Sequence, residues 1–214
     1  MRNVFTFLKE FGQNREAVGS MIPSTPKLGK ALCKFVSRDG RKKSVLEVGP
    51  GTGTITEQLI ACLRPGDRLV LVEINDQFCK LLRESADRKW KDSLEGIDLE
   101  IHCCTMEELD DTEKFDYLVS SLPLNNFSYE LVKEILKAYQ HLLKPGGKLS
   151  YFEYLYARKV REFVGKMKKD QERVMTCHML EDFIHDFQLE FDEVIMNFPP
   201  AVARHFSFQP NQEN

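Results

Sequence analysis

A glycine turn directly after a short apolar strand constrains the fold of this chain more than any other feature. Residues 44–53 read S-V-L-E-V-G-P-G-T-G, with a glycine at every second position from Gly49 to Gly53. Glycine accepts positive φ angles and lets the backbone approach a ligand closely. A dinucleotide fingerprint, G-x-G-x-x-G, would place its third glycine one residue later, and the G-K-[ST] of a phosphate P-loop is absent. The turn therefore predicts a nucleotide-like ligand without a pyrophosphate.

Two acidic residues define the ligand further. Glu47 precedes the glycines, where it would repel a pyrophosphate but suits the amino group of a zwitterionic ligand or an ordered water. Glu73 follows Gly53 by twenty residues, at the end of a second predicted strand, where a carboxylate accepts hydrogen bonds from both ribose hydroxyls. Both acids are expected at the carboxyl ends of parallel strands, where open α/β sheets bind ligands. Together they predict a site for S-adenosylmethionine.

The chain as a whole alternates strand patterns with helix patterns. Predicted strands lie at 45–48, 68–72, 99–103, 115–120 and 148–151, and predicted helices at 54–63, 75–89 and 129–142. Ser24 or Thr25 is expected to cap an earlier helix that begins at Pro26. A helix-rich insert at about 157–187 precedes two β-like stretches, 189–197 and 202–208. The alternation predicts an α/β fold with a doubly wound, Rossmann-like, mainly parallel sheet and an antiparallel strand at its end.

Composition narrows the class of protein. The chain has 214 residues, 42% of them hydrophobic, and a formal net charge of -3, which favours one globular domain and gives no overall attraction to nucleic acid. The sequence shows neither a signal peptide nor an apolar run near the roughly 18 residues that span a bilayer, so a cytoplasmic protein is expected. Six cysteines without a C-x-x-C pair predict reduced thiols, and no metal site is predicted.

Four segments resemble the motifs of class I S-adenosylmethionine-dependent methyltransferases. They are E-V-G-P-G-T-G, L-V-E-I-N, F-D-Y-L-V-S-S-L-P-L-N-N-F and L-L-K-P-G-G-K-L, within a resemblance that covers residues 18–208. It implies a seven-stranded sheet with an antiparallel last strand, and S-adenosylmethionine as a methyl donor that leaves as S-adenosylhomocysteine. The cofactor-binding residues it implies are Pro23, Ser24, Glu47, Gly49, Gly51, Gly53, Glu73, Ile74, Thr105, Met106 and Ser120.

The third family motif, usually Gly-Asp-Ala, differs here. Cys104 replaces the glycine and Thr105 replaces the aspartate. A threonine hydroxyl can still accept a hydrogen bond from the adenine amino group, and the backbone of Met106 can meet the ring edge. A weaker cofactor site than is usual in the family is expected.

The fourth motif indicates the methyl acceptor. Enzymes that methylate adenine or glutamine carry [ND]-P-P-[YF] or N-L-P-Y, whereas this chain has S-L-P-L at 121–124. That segment is similar to the S-[GS]-L-P-L-x-N-F of bacterial phospholipid N-methyltransferases, which methylate phosphatidylethanolamine. V-G-S-M-I-P-S-T-P-K-L, G-P-G-T-G-T-I-T, Y-F-E-Y and M-N-F-P-P-A-V also resemble segments of that family. The chain departs from its pattern at Asn125, Ser128 and Glu153.

The resemblance implies a catalytic set of Ser121, Leu122, Pro123, Asn126 and Tyr154. Backbone carbonyls at Ser121 and Leu122 would accept hydrogens of the acceptor amine, and Tyr154 would offer its hydroxyl as a relay or its ring face to the growing cation. Three alternatives stay open: an enzyme like the rRNA adenine N6-dimethyltransferases, a small-molecule amine methyltransferase, and a cofactor-binding domain without catalysis.

A lipid acceptor predicts a surface that faces the membrane. The candidates are an aromatic-rich amphipathic helix at 3–12 and the basic segment 158–173. The expected partners are thus a phospholipid and an anionic membrane surface on the cytoplasmic side, with no nucleic acid and no oligomeric state assigned. Within one domain, 1–40 are expected to cover the cofactor, 41–153 to bind it, 154–208 to form the insert and terminal strands, and 209–214 to be a tail.

Overall fold

The computed structural model describes residues 25–109 and 114–208, which form one seven-stranded sheet. Its order is β3-β2-β1-β4-β5-β7-β6, and β7 alone runs antiparallel to its neighbours β5 and β6. The strands are β1 Ser44–Val48, β2 Arg68–Val72, β3 Asp98–His102, β4 Phe115–Ser120, β5 Leu143–Tyr154, β6 Gln188–Val194 and β7 Ala201–Ser207. The predicted doubly wound sheet with an antiparallel last strand is confirmed.

Helices cover both faces of the sheet. They are α1 Pro26–Leu32, α2 Lys34–Arg38, α3 Thr54–Ile60, α4 Asp76–Asp87, α5 Tyr129–Leu142, α6 Ala157–Lys168 and α7 Gln171–Phe187. Thr25 caps α1 by accepting a hydrogen bond from Leu28 N at 3.4 Å, with Pro26 at the first helical position, as predicted. Asn75 caps α4 by accepting hydrogen bonds from Gln77 N and Phe78 N in the first turn.

Side chains alternate between two apolar cores along the central strands. On one face, Leu46 and Leu118 pack against α5 and α7 through Tyr139 and Phe183. On the other face, Val45 and its neighbours on β2 pack against α1, α3 and α4. Burial on both faces explains why these strands read as continuous apolar runs.

The predicted boundaries hold best in the middle of the chain, where β2, β4 and α5 begin and end at the predicted residues. Strand β5 is longer than the predicted 148–151 at both ends, because Leu143 pairs with Phe115 of β4 and the ladder with β7 continues to the pair Tyr154–Ala201. Strand β6 ends at Val194 rather than at 197, because Asn197 N bonds back to Val194 O and turns the chain. The division of the domain into functional segments stays a prediction.

Several predictions lie outside the described residues: the N-terminal helix at 3–12, the cofactor contacts at Pro23 and Ser24, and the tail at 209–214. Among the helices of residues 25–109 and 114–208, none is long and apolar enough to cross a membrane. All six cysteines are free thiols.

A buried ion pair holds the sheet edge opposite to the carboxyl ends of the strands. Lys43 Nζ lies 3.1 Å from Asp67 Oδ2, with both side chains almost fully buried. The same carboxylate accepts hydrogen bonds from the amides of Lys43 and Arg64 at 3.0 and 2.9 Å. Removing one member of such a pair leaves an uncompensated buried charge.

We expect Asp67→Ala to lower the free energy of unfolding by about 3–5 kcal/mol, because the Lys43 ammonium would lose its buried partner. Urea unfolding measures the change. Asp92→Ala, which removes an exposed acid, is the control and should stay within about 0.5 kcal/mol of wild type. A similar small loss in both variants would contradict the stabilising role of the buried pair.

Candidate active site

The carboxyl ends of β1, β2 and β4 meet at one edge of the sheet. Two backbone hydrogen bonds continue the ladders past β1: Gly49 N donates to Val72 O at 2.9 Å, and Ser121 N donates to Val48 O at 3.0 Å. The glycine turn, Glu73 and the start of the fourth motif therefore lie side by side, as the parallel order predicts.

All three glycines of the turn have positive φ angles, namely 72° at Gly49, 60° at Gly51 and 87° at Gly53. A Cβ at Gly53 would lie 2.7 Å from the buried ring of Trp90. A Cβ at Gly49 would lie 3.0 Å from Leu122 in the fourth motif. Gly53 thus also lets the Trp90 ring pack closely against the turn, a role that the spacing of the glycines did not indicate.

Glu73 anchors the turn to β2. Its Oε2 accepts a hydrogen bond from Gly51 N at 3.0 Å, and its Oε1 accepts from Ile74 N and Asn75 N at 2.9 and 3.0 Å. Three backbone amides therefore hold this buried carboxylate in place. Besides the ribose contact expected from the sequence, Glu73 has a structural role.

Glu47 is fully buried and only half satisfied. Its Oε2 accepts a hydrogen bond from Thr56 Oγ1 at 2.7 Å, whereas Oε1 has no hydrogen-bond partner among the described residues. Burial raises the pKa of Glu47 to about 8, an effect that the Thr56 hydrogen bond opposes and the nearby Glu73 charge increases. A glutamate in the unfolded chain loses its proton at a lower pH than Glu47 does in the folded protein. The free energy of unfolding of the ligand-free protein therefore falls as the pH rises from about 4.5 towards 8.

Thr105 and Met106, predicted beside the adenine, begin a short 3₁₀ turn at Met106–Glu108. The amide and the hydroxyl of Thr105 donate to the Glu108 carboxylate at 2.8 and 3.2 Å in a capping box. The side chain of Met106 is buried in the core. Their contacts with adenine stay a prediction, and the structure adds this capping role.

Ser120 anchors the start of the fourth motif. This buried side chain lies 2.5 Å from the Tyr139 hydroxyl and accepts a hydrogen bond from Leu122 N at 3.2 Å. Pro123, with φ -80° and ψ 72°, sits at the centre of an inverse γ-turn in which Leu124 N donates to Leu122 O at 2.9 Å. The Leu122 carbonyl, expected to accept from the substrate, is thus already engaged.

Ser121 offers a polar atom at this edge that the sequence reasoning did not use. Its side chain is buried, and its hydroxyl has no hydrogen-bond partner in the described part of the chain. Buried hydroxyls are normally paired, so an unpaired one beside the glycine turn is a candidate contact for a ligand.

The side chains of Asn126 and Asn125 contact different elements. Asn126 is exposed, and its Oδ1 accepts a hydrogen bond from Arg161 on α6 at 2.8 Å. Asn125 instead donates from Nδ2 to Glu153 Oε2 at 3.2 Å. Asn126 therefore contacts α6 and Asn125 contacts the end of β5, and the catalytic role of Asn126 stays a prediction.

Glu153 and Arg204 are site candidates that sequence reasoning missed. Glu153 Oε1 accepts from Arg204 Nε at 2.7 Å and lies 3.4 Å from an Arg158 guanidinium nitrogen. A sequence signal existed for Asn125 and Glu153, because both depart from the family pattern. In the structure these two residues contact each other. Nothing in the sequence indicated Arg204, which meets Glu153 only through strand pairing.

Tyr154 ends β5 beside these charges. It is half-buried, and its ring meets Phe152 edge-on, with centroids 5.7 Å apart. Burial raises the pKa of its phenol, so the hydroxyl keeps its proton at neutral pH. Tyr154 can therefore donate a hydrogen bond or relay a proton, but it does not supply a strong base.

Comparisons with known proteins agree with this architecture. Residues 45–147 match a family model described as a methyltransferase domain. An ornithine lipid N-methyltransferase of Singulisphaera acidiphila is 29% identical over 167 residues, which are 76% of this chain and 85% of that protein. The matched domain and this relative indicate an S-adenosylmethionine-dependent methyltransferase that resembles the class I enzymes.

Two solved methyltransferases share its fold. An O-methyltransferase from Bacillus cereus, in complex with S-adenosylhomocysteine, has a TM-score of 0.64 at 18% identity and covers 94% of this chain and 90% of its own. The N-methyltransferase NodS from Bradyrhizobium japonicum, also with S-adenosylhomocysteine, has a TM-score of 0.56 at 14% identity and covers 99% of this chain and 100% of its own.

The residues of the methyltransferase fit its cofactor. The unpaired Oε1 of Glu47 is a buried acceptor that an ammonium group or an ordered water would satisfy. The positive φ angles at Gly49 and Gly51 favour glycine, and glycine leaves the turn without side chains next to Glu73. Glu47, Glu73 and the turn are therefore the residues that would hold the donor.

A metal site is not needed to explain the remaining acidic cluster. The possible ligand atoms of Glu162, His178 and Glu181 lie within 4.8 Å of one another, although the sequence showed no metal-ligand spacing there. Glu162 already pairs with Lys166 on the same helix and lies 3.5 Å from His178.

We expect binding of S-adenosylhomocysteine at about pH 7 to release close to one proton, because Glu47 must ionise to receive the ligand ammonium while its own pKa is about 8. Affinity should therefore increase with pH up to about 8. Calorimetry in buffers of different ionisation enthalpy measures the released proton.

Glu47→Gln should remove this proton release and weaken binding. Glu57→Gln, which removes the neighbouring acid of α3 that pairs with Lys89, should leave the release unchanged. Equal release from wild type and Glu47→Gln would contradict the role of Glu47.

Proposed function

We propose that this methyltransferase transfers methyl groups to the primary amine of a membrane aminolipid, with phosphatidylethanolamine as the acceptor. The observation that carries the proposal is the similarity to an ornithine lipid N-methyltransferase over 76% of the chain. The resemblance of the fourth motif to phospholipid N-methyltransferases supports the same acceptor class.

The position after Pro123 argues against a nucleobase acceptor. A flipped base normally stacks on an aromatic side chain of the active site. Here Leu124 occupies the place of that aromatic residue, and its side chain is buried in the apolar core rather than facing a ligand. An amine on a flexible chain does not need a stacking partner.

The chain itself must position and deprotonate the amine. S-adenosylmethionine supplies an electrophilic methyl group when it is bound at the glycine turn. A primary ammonium with a pKa of about 10 is only ~0.1% deprotonated at neutral pH, so the site must bind the neutral amine or help remove a proton. The Ser121 hydroxyl can accept an amine hydrogen, and Tyr154 can pass a proton to water. The Tyr154 ring face can then stabilise the methylated cation.

An exposed apolar stripe on α6 supports work at a membrane surface. The stripe consists of Tyr156, Val160, Phe163 and Met167, whose exposed fractions are 68%, 57%, 65% and 70%. At about 100° per residue, these four positions fall within an arc of about 60°. The opposite face packs on α7, where Gly165 lies against Val174. Such a stripe is unusual for a surface in water and typical of an interfacial helix.

The surroundings of the apolar stripe favour anionic lipid. Lys159 and Lys166 lie along one side of the stripe on α6, with Lys166 paired to Glu162, and Lys168 and Lys169 follow at its end. The loop after β6 adds exposed Ile195, Met196 and Phe198. This loop lies beside the start of α6, because Leu155 N donates to Pro200 O at 2.8 Å. We propose that this surface docks the enzyme on the cytoplasmic face of a membrane, next to the active-site edge.

The acceptor is tested with purified protein, labelled S-adenosylmethionine and phosphatidylcholine vesicles that contain an anionic phospholipid and phosphatidylethanolamine. We expect label in the lipid, and none when phosphatidylethanolamine is left out. Parallel reactions offer ornithine lipid, rRNA and free ethanolamine. Label in ornithine lipid alone would change the acceptor but keep the aminolipid class, whereas label only in rRNA or free ethanolamine would overturn the proposal.

Docking is tested with the double substitution Phe163→Ser and Met167→Ser. Removing two exposed apolar side chains should lower binding to anionic vesicles at least about tenfold, since each buries apolar area in the bilayer. Vesicle co-sedimentation measures the binding. Leu81→Ser, which alters an exposed leucine on α4, is the control and should bind like wild type. Unchanged binding of the double variant would contradict the proposed surface.

A further inference from the structure

A concave pocket lies between the first turn of α6 and the ends of β5, β6 and β7. Its volume is about 220 Å³, and Tyr154 and Glu153 form part of its wall. Three basic side chains also line it: Arg158, Lys159 and Arg204. Because the pocket includes a residue of the proposed catalytic set, it lies within reach of a substrate held at the active-site edge.

Positive charge exceeds negative charge in the buried part of this pocket. Arg158 and Arg204 both approach the same oxygen of Glu153, at 3.4 and 2.7 Å. Their side chains are 14% and 15% exposed, and that of Glu153 is 5% exposed. One carboxylate thus faces two guanidinium groups where solvent screening is weak. Of the remaining acids nearby, Glu193 is exposed and the Glu181 side chain is 43% exposed.

Arg158 has donors to spare. A guanidinium carries five N–H donors in a planar fork that matches the oxygens of a phosphate or a carboxylate. The Nε atom of Arg158 is buried and, although Glu181 Oε1 lies 3.4 Å away, it makes no hydrogen bond within residues 25–109 and 114–208. More of the donors of Arg204 are engaged, because its Nε donates to Glu153 and a terminal guanidinium nitrogen donates to Gln188 Oε1 at 2.6 Å. Arg158 is therefore the better candidate for an anionic ligand.

The pocket is coupled to the fourth motif. Asn125 donates to the free oxygen of Glu153 at 3.2 Å, so the loop that begins at Ser121 and the pocket share one carboxylate. Helix α6 also begins here at Ala157, after the N-cap residue Tyr156 with φ 65°, and no side chain caps its first amides, which adds to the positive field. An acceptor whose amine is held beside Tyr154 could place an anion about four bonds away, as in phosphatidylethanolamine, against Arg158, which lines the same pocket.

We infer that this pocket binds the anionic group of the methyl acceptor, a phosphate or a carboxylate, through Arg158 and Lys159, while Glu153, itself bound by Arg204, holds Arg158 in position. The inference rests on the proposed aminolipid function and adds a requirement to it: the acceptor must be zwitterionic, with an anion close to the amine. Two of the three departures from the family pattern, Asn125 and Glu153, then belong to the part of the site that recognises the head group.

The test compares wild type, Arg158→Gln and Arg158→Lys on three acceptors in uncharged phosphatidylcholine vesicles: phosphatidylethanolamine, an aminolipid with a carboxylate, and a long-chain primary alkylamine without an anion. Arg158→Gln should lower kcat/KM about ten- to hundredfold for the acceptors that carry an anion, mainly through KM, and leave the alkylamine within about twofold. Arg158→Lys should recover part of the loss. Comparing the phosphate and carboxylate lipids shows which anion the pocket prefers.

Lys137→Gln is the matched control, because it removes one positive charge from an exposed position on α5, outside the pocket. It should behave like wild type with every acceptor. An equal loss for all three acceptors in Arg158→Gln, or no loss for any, would overturn the anion site while leaving the aminolipid function in place. Failure of wild type on all lipid amines would instead overturn the proposed function.

A binding measurement separates the two ideas further. Glycerophosphoethanolamine is titrated into the protein saturated with S-adenosylhomocysteine, with no methyl transfer in the experiment. Wild type and Lys137→Gln should bind it, and Arg158→Gln should bind at least about tenfold more weakly. Absence of binding to wild type, or equal binding to Arg158→Gln, would contradict the inference whatever the enzyme methylates.

Discussion

The position of β1 between β2 and β4 is the constraint on which the active-site edge depends. Backbone hydrogen bonds on both sides of its carboxyl end, from Gly49 to Val72 and from Ser121 to Val48, continue the parallel ladders into the loops. Parallel pairing points all three strand ends the same way, so residues far apart in sequence reach one edge. The glycine turn is then closed by Glu73, whose carboxylate binds backbone amides from both loops.

The proposed acceptor side is organised by a second shared carboxylate. Glu153 connects the loop after β4, the first turn of α6 and strand β7 through Asn125, Arg158 and Arg204. A buried acid with this many partners fixes the relative positions of three segments that local structure alone would leave free. The donor side and the acceptor side of the enzyme are thus each built around one carboxylate at the end of a strand.

Elements with strong local signals could be predicted closely from the sequence. Strand β4 and helix α5 begin and end as expected, because continuous apolar runs and the Ser128 cap specify them locally. The length of β5 could not be predicted, since its last residues are strand only because β7 pairs with them. Likewise, the sequence could not predict which partner each asparagine contacts. Asn125 binds Glu153 and Asn126 binds Arg161 because of where the fold places those two residues.

The sequence by itself determined the class of enzyme and its methyl donor. The turn at Gly49–Gly53 and its acids lie at strand ends, and both positive φ angles and strand patterns are local properties that residue type controls. Only the tertiary structure decided what surrounds the acceptor. The exposed face of α6 is defined by the packing of its other face on α7, and Arg204 reaches Glu153 through an antiparallel pairing across 51 residues. Contacts of this kind leave no periodic signal, because they join segments whose separation in the chain is set by the fold.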